Sequence, residues 1–147
     1  MCGITGLWLF NSVVEPDIQT TMGHMVDSIF HRGPDDSGVW IDQEKGLGLG
    51  HRRLAILELS SAGHQPMISK NKRYSIVFNG EIYNHLELRN LLESTLGVSP
   101  KWQGQSDTET LLSAIEAWGL EKTLERISGM FAFALWDKPN EKLVLAR

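Results

Sequence analysis

Cysteine stands at position 2, directly after the initiator methionine. Aminopeptidases remove that methionine when the next residue is small, and cysteine qualifies. The chain then begins with a residue carrying both a thiol and a free α-amine, which titrate near about 8.5 and 8. An amine so placed can act as general base for its own thiol, and the thiolate is the attacking species. Such a base contributes about 10²–10⁴-fold in rate. Position alone leaves a second role open, that of a small apolar residue opening a strand. Asn79-Gly80 follows an apolar run and reads as a turn pair. Asp35 and Asp36 lie in a loop with no further acidic residues at metal-holding spacing, so they read as loop caps. His24, His31, His51, His64 and His85 show no zinc-type spacing.

The elements that must position these groups are legible as periodic runs. Residues 3–10 read as a strand, broken by Asn11 and Ser12. From Pro16 to Phe30, Ile18, Met22, Met25, Val26 and Ile29 make a helical stripe, with proline suited to the first helical position. Residues 31–38 (HRGPDDSG) have loop chemistry. Extended segments are expected at 38–42, 47–52 and 54–59, a loop at 60–66, and a buried strand at 74–78. Leu86, Leu91, Leu92 and Leu96 predict a helix over 85–96 that stops at Gly97. Ser106 and Glu109 fit a capping box, with Leu111, Leu112, Ile115 and Trp118 as the apolar face of the helix that follows. Gly119 ends it, and a short helical piece is expected at 121–128. An apolar run at 130–136, a turn at 138–140 and a return strand at 142–146 complete the pattern. Mixed blocks with hairpin-like connections predict an α+β fold with antiparallel sheet rather than a doubly wound parallel one.

Composition bounds the function. The 147 residues suit one domain. With 41% hydrophobic and 22% charged residues and a mean hydropathy of -0.18, the chain reads as globular rather than disordered. No apolar run nears the ~18 residues of a membrane span. Fourteen Lys+Arg against eighteen Asp+Glu give a net charge of -4, a poor basis for nucleic-acid binding. One cysteine excludes an intrachain disulfide and a four-cysteine metal site. The first residues lack a secretory pattern, so a cytoplasmic protein is expected.

Seven motifs occur in order: Met1-Cys2-Gly3-Ile4, HRGPDDSG (31–38), LGHRRLAILELS (49–60), GHQPM (63–67), FNGEIYNH (78–85), GQSDTE (104–109) and SGMFAFALWD (128–137). Together they resemble the glutamine-hydrolysing domain of the asparagine synthetase family. These are class II glutamine amidotransferases of the N-terminal-nucleophile hydrolase superfamily. The resemblance spans essentially the whole chain and implies a four-layer αββα sandwich with antiparallel sheets. It also implies a mechanism, in which Cys2 attacks the side-chain amide of L-glutamine, releases ammonia and leaves a glutamyl thioester for water to hydrolyse.

The resemblance carries further roles. Asn79 (side chain) and Gly80 (backbone N–H) match the family's oxyanion hole, where losing one donor costs about 10²–10³ in rate. Arg53 matches the arginine that grips the substrate α-carboxylate, and a guanidinium fork suits that group. Alternation along a strand sends neighbouring Arg52 to the opposite face, where it reads as a surface residue. Glu81 and Asp107 match the anions that receive the substrate ammonium, although an acid in a first helical turn also favours the helix dipole. Backbone carbonyls at Ile56 and Leu57 correspond to further substrate contacts. The HRGPDDSG loop lies near the nucleophile in the family, with no chemical role assigned from this sequence. Trp8, Trp40, Trp118 and Trp136 read as core, and Trp102, in a loop-like segment, as a shield of the site.

Family members run on past the position of Arg147 into the end of the glutaminase domain and then an ATP-using synthetase domain. The chain is therefore expected to be incomplete at its C-terminal end, with an open strand edge that invites association, including as a homodimer. The LGLGHR stretch fits no phosphate-binding loop. The glutaminase half-reaction needs no cofactor, whereas ATP and Mg serve only the synthetase domain or chain. The alternatives are a truncated, non-catalytic glutamine-binding module, a hydrolase of another amide, or an amidotransferase subunit of a polysaccharide-modifying relative.

Overall fold

A computed structural model describes residues 2–9, 17–56, 58–97 and 100–147. Strand β1 (Gly3–Trp8) is followed by helix α1 (Ile18–Ser28), then β2 (Asp36–Asp42) and β3 (Leu47–Arg53). The chain continues through β4 (Met67–Ile68), β5 (Tyr74–Ile82), α2 (His85–Leu96), α3 (Asp107–Trp118), α4 (Leu120–Leu124), β6 (Gly129–Asp137) and β7 (Lys142–Ala146). Two antiparallel sheets form, with orders β1-β3-β2 and β4-β5-β6-β7.

Strand β3 shows how the layers stack. Its residues alternate, as a pleated strand requires. Leu47 and Leu49 face the second sheet and pack with Val77, Ala134 and Trp136. Gly48 and Gly50 face α1, where a side chain on Gly48 would meet Met22 Cγ at 2.5 Å and one on Gly50 would meet Val26 Cγ2 at 2.5 Å. The missing side chains let the helix lie close on the sheet. The far face of the second sheet carries Tyr74, Ile76 and Phe78 against Leu88, Leu111, Leu112 and Ile115 of α2 and α3. The order is helix, sheet, sheet, helices: the αββα sandwich expected from the motifs.

Helix α1 buries Ile18, Met22 and Val26, as its stripe predicts, and Asp17 caps it through the N–H groups of Gln19 and Thr20. The strand at 3–10 is confirmed over Gly3–Trp8, while Asn11, Ser12 and Pro16 lie outside the described residues. Several expectations need correction. Asn79-Gly80 is not a turn, because β5 runs through it and pairs it with Ala132 and Phe131 of β6. A side chain on Gly80 would meet Phe131 Cα at 2.5 Å, so glycine permits the two strands to approach. Residues 54–56 and 58–59 form no strand, since their backbone groups bond to side chains instead of a ladder. In α2 the buried pair is Leu88 and Leu92, whereas Leu86, Leu91 and Leu96 are exposed. Leu86 and Leu91, five apart, do not share a helix face; Leu88 and Leu92, four apart, do.

The capping box is half formed. Ser106 caps α3 by accepting the Thr108 N–H. Glu109 does not return to Ser106, because the preceding loop curls over the helix and offers it the N–H groups of Gln103 (2.8 Å) and Gly104 (3.1 Å). Arg52 is no free surface residue. Its Nε donates to the Val26 carbonyl (3.1 Å), its Nη2 pairs with Asp27, and its guanidinium lies over the Phe30 ring, fastening α1 to β3. Trp136 is fully buried, and Trp8, Trp40 and Trp118 pack against the two cores. Among the described residues no helix is long and apolar enough to cross a membrane.

Candidate active site

A cleft of about 270 Å³ opens where β1, the end of β3, the middle of β5 and the start of α3 converge. Cys2, Arg53, Ile56, Asn79, Gly80, Glu81 and Asp107 all line it. Leu57 lies outside the described residues. Trp102 does not line the cleft; it packs beneath the Arg89 guanidinium and donates its indole N–H to Glu93, because its loop turns toward α2.

The half-buried Cys2 sits beside Leu54, whose N–H reaches Sγ at 3.4 Å and whose carbonyl lies 3.6 Å from it. Segment 31–38 frames this corner. Arg32 Nη2 donates to the Cys2 carbonyl (3.1 Å), and Asp35 accepts the Ala55 N–H (2.8 Å) just past Leu54. Asp36 takes the His64 ring at 2.8 Å and lies 4.0 Å from Arg53 Nη1. The paired aspartates thus serve as loop fasteners.

Arg53 is buried at the end of β3. Its Nη1 donates to the Ser60 carbonyl (2.9 Å) and its Nη2 to the Glu58 carbonyl. A guanidinium has five N–H donors, so donors remain for an anion in the cleft.

Strand β5 presents an edge to the cleft because β4 stops short of it. Extending the Met67–Ile76 register would set Gln65 opposite Phe78, but the strand ends at Met67. The Gln65 side chain substitutes for the missing ladder: its Oε1 accepts the Phe78 N–H (2.6 Å) and its Nε2 reaches Thr108 Oγ1 (3.4 Å). His51 Nε2 meets the Phe78 carbonyl at 3.1 Å. Two residues further from Gly80, the Ile82 N–H donates to Asp107 Oδ2 (2.9 Å). Backbone groups alternate along an antiparallel strand. The Gly80 N–H, between those of Phe78 and Ile82, therefore points off the same edge and into the cleft.

Asp107 is buried, and its Oδ1 also accepts the Thr108 N–H (2.8 Å). Burial pushes its carboxyl upward, opposed by these two N–H donors. Glu81 is exposed at the rim. Glu58 also lines the cleft, and the Ser60 hydroxyl with the N–H groups of Gln105 and Ser60 holds its carboxyl down to about 2. Sequence reading gave Glu58, Gln65 and Thr108 no part. Gln65 had one available signal, a polar residue of GHQPM that falls opposite Phe78 once β4 and β5 are paired. No group of three or more His, Cys, Asp or Glu suited to a metal ion occurs among the described residues.

The glutamine amidotransferase domain family matches residues 1–147. The chain belongs to that family, an enzyme family. It is 40% identical over its whole length to asparagine synthetase [glutamine-hydrolyzing] 3 of Bacillus subtilis, covering 23% of that protein. Over 80% of the chain it is 44% identical to a putative asparagine synthetase [glutamine-hydrolyzing] of Mycobacterium tuberculosis, covering 18% of it. The chain thus spans about a fifth of the length of these curated relatives. Among solved structures, the glutamine phosphoribosylpyrophosphate amidotransferase of B. subtilis superposes with a TM-score of 0.73 at 21% identity, over 99% of this chain and 37% of that one. The shared fold is that of the N-terminal-nucleophile hydrolases.

Proposed function

We propose that this cleft hydrolyses L-glutamine to glutamate and ammonia through a thioester on Cys2. The observation that carries the reading is convergence: a thiol, a guanidinium, three carboxylates and a strand-edge N–H arrive in one cleft from separate segments of the chain. The charges complement both ends of a zwitterionic amino acid. Arg53 takes the α-carboxylate, while Asp107 and Glu81 take the ammonium, with Ile56 (and Leu57) supplying carbonyl contacts. Each Asp107 oxygen already accepts one N–H and retains a lone pair for the ligand.

With Met1 removed, the Cys2 amine takes the thiol proton and the sulfur attacks the amide carbon. The oxyanion is met by the Asn79 side-chain N–H and the Gly80 N–H. Collapse expels ammonia, which carries away the proton held by the amine. Water then adds to the thioester, the amine again acts as base, and glutamate leaves with the thiol restored. Two donors held by a paired strand need no reorganisation as charge develops.

The names of the relatives support an ammonia-using partner reaction, the ATP-dependent amidation of aspartate to asparagine. ATP and Mg would enter through a synthetase domain or chain, not through this cleft. The test is glutamate and ammonia release from glutamine by purified protein, alongside intact mass. Met1 is expected to be absent, and Cys2→Ala to lower turnover by at least about 10⁴-fold. Equal turnover in the two proteins, or an active protein that keeps Met1, overturns the reading.

A further inference from the structure

Glu58 lines the cleft, yet none of the steps above uses it. Its Oε1 accepts both the N–H (2.9 Å) and the hydroxyl (2.6 Å) of Ser60, and its Oε2 accepts the Gln105 N–H (2.7 Å). The first pair fixes the segment after β3, whose carbonyls at Glu58 and Ser60 hold the Arg53 guanidinium. The last bond reaches the loop that ends at Ser106 and Asp107. Two glycines keep room for this bridge. A side chain on Gly104 would meet Glu58 Oε2 at 2.5 Å, and one on Gly63 would meet Arg53 Cζ at 2.7 Å and Glu58 Cγ at 3.0 Å.

We infer that Glu58 is a positioning residue: it latches the Arg53 loop to the Asp107 loop and sets the span across which the cleft grips both charged ends of an amino acid. The inference rests on the glutamine reading above. Independent anchors show that the bridge is not what holds the second loop to the fold. Arg89 donates to the carbonyls of Gly104 (2.9 Å) and Ser106 (3.0 Å), and Glu109 accepts the N–H groups of Gln103 and Gly104. These bonds seat the second loop on α2 and α3 from behind. Glu58 alone among these groups ties it forward, to the segment that carries the acceptors of Arg53. Losing the bridge would let the walls of the cleft move apart while Cys2 stays at the head of β1 and Asn79 and Gly80 stay on β5.

The decisive variant is Glu58→Gln, equal in size but unable to accept at both ends without a clash of donors; a thermal melt confirms its fold. KM for glutamine is expected to rise about tenfold or more while kcat stays within about threefold, the signature of lost binding common to ground and transition states. Alkylation of Cys2 by iodoacetamide, which makes no α-amino-acid contacts, is expected to keep the wild-type rate. A diazoketone analogue of glutamine is expected to label Cys2 about tenfold more slowly. An unchanged KM, or a loss confined to kcat, overturns the latch. Should wild-type protein release no ammonia, the glutaminase reading fails on its own. Calorimetric glutamine binding to Cys2→Ala, with and without Glu58→Gln, then decides the latch, and either an unchanged Kd or no binding at all overturns it.

Discussion

His51 and Asp107 both reach β5 from outside its ladder, and burial pushes them in opposite directions. For His51, desolvation lowers the ring to about 4 from 6.5, against the partial support of the Phe78 carbonyl. The ring is neutral at pH 7, with the proton on Nε2 to donate to Phe78, and its Nδ1 has no hydrogen-bond partner among the described residues. The unfolded chain takes up a proton near pH 6.5 that the folded chain refuses until about pH 4. Stability from this site is therefore complete above pH 6.5 and declines as pH falls toward 4, by about 3 kcal/mol across the window. His51→Gln should flatten that slope in denaturant titrations at pH 7 and pH 4.5. An unchanged slope would place the dependence in other groups. His51 had no assigned role in the sequence, because a histidine in a strand pattern does not reveal whether its ring will be solvated.

Strand β5 is where local pattern and global structure part. The dipeptide Asn79-Gly80 favours a turn by its own chemistry, and β6 overrides that preference by pairing with the strand as far as Ile82. Glycine is retained there because Met130 and Phe131 of β6 crowd the place of a side chain. Gly80→Ala is therefore expected to destabilise the protein by about 1–3 kcal/mol, as overpacking against backbone does. It should also lower glutaminase turnover by shifting the N–H that faces the cleft. Urea melts and ammonia release measure the two effects, and full stability in the variant would mean that the strands can part without cost. The same contrast holds for the helices. The stripes of α1 and α3 were readable because their apolar residues repeat at three and four. The predicted α2 stripe mixes two faces, and packing buries Leu88 and Leu92 while Leu86, Leu91 and Leu96 stay exposed.

Across the four layers, the two sheets meet through Leu47, Leu49, Val77, Ala134 and Trp136, with Trp8 edge-on to Trp136 at 5.3 Å between ring centroids. This contact holds the β1–β3 side of the cleft, with Cys2 and Arg53, against the β5 side, with Asn79 and Gly80. Trp136→Ala is expected to cost about 3–5 kcal/mol and to lower the single melting transition of both sheets together. A loss below about 1 kcal/mol, or two separate transitions, would show that the sheets are not coupled through this residue. The αββα order was implied by seven motifs in register. The near-continuous apolar runs of β5 and β6 support it independently, since a sheet covered on both faces needs apolar residues on both.

Covalent spacing carries its information along the chain, and that is why so much of this protein is legible in its sequence alone. A thiol beside the terminal amine, helical and strand periods, the Ser106 cap and the ordered motifs all depend on near neighbours. What the folded layers settled is of another kind. A backbone N–H or C=O exposed where a ladder stops must find an acceptor or donor wherever packing brings one. Gln65 and His51 at Phe78, Asp107 at Ile82, and Glu58 between Ser60 and Gln105 answer that demand from positions 13 to 47 residues away, or from two on the short side. No local pattern announces such partners, because the demand arises only when β4 ends short and α3 closes over the strand edge.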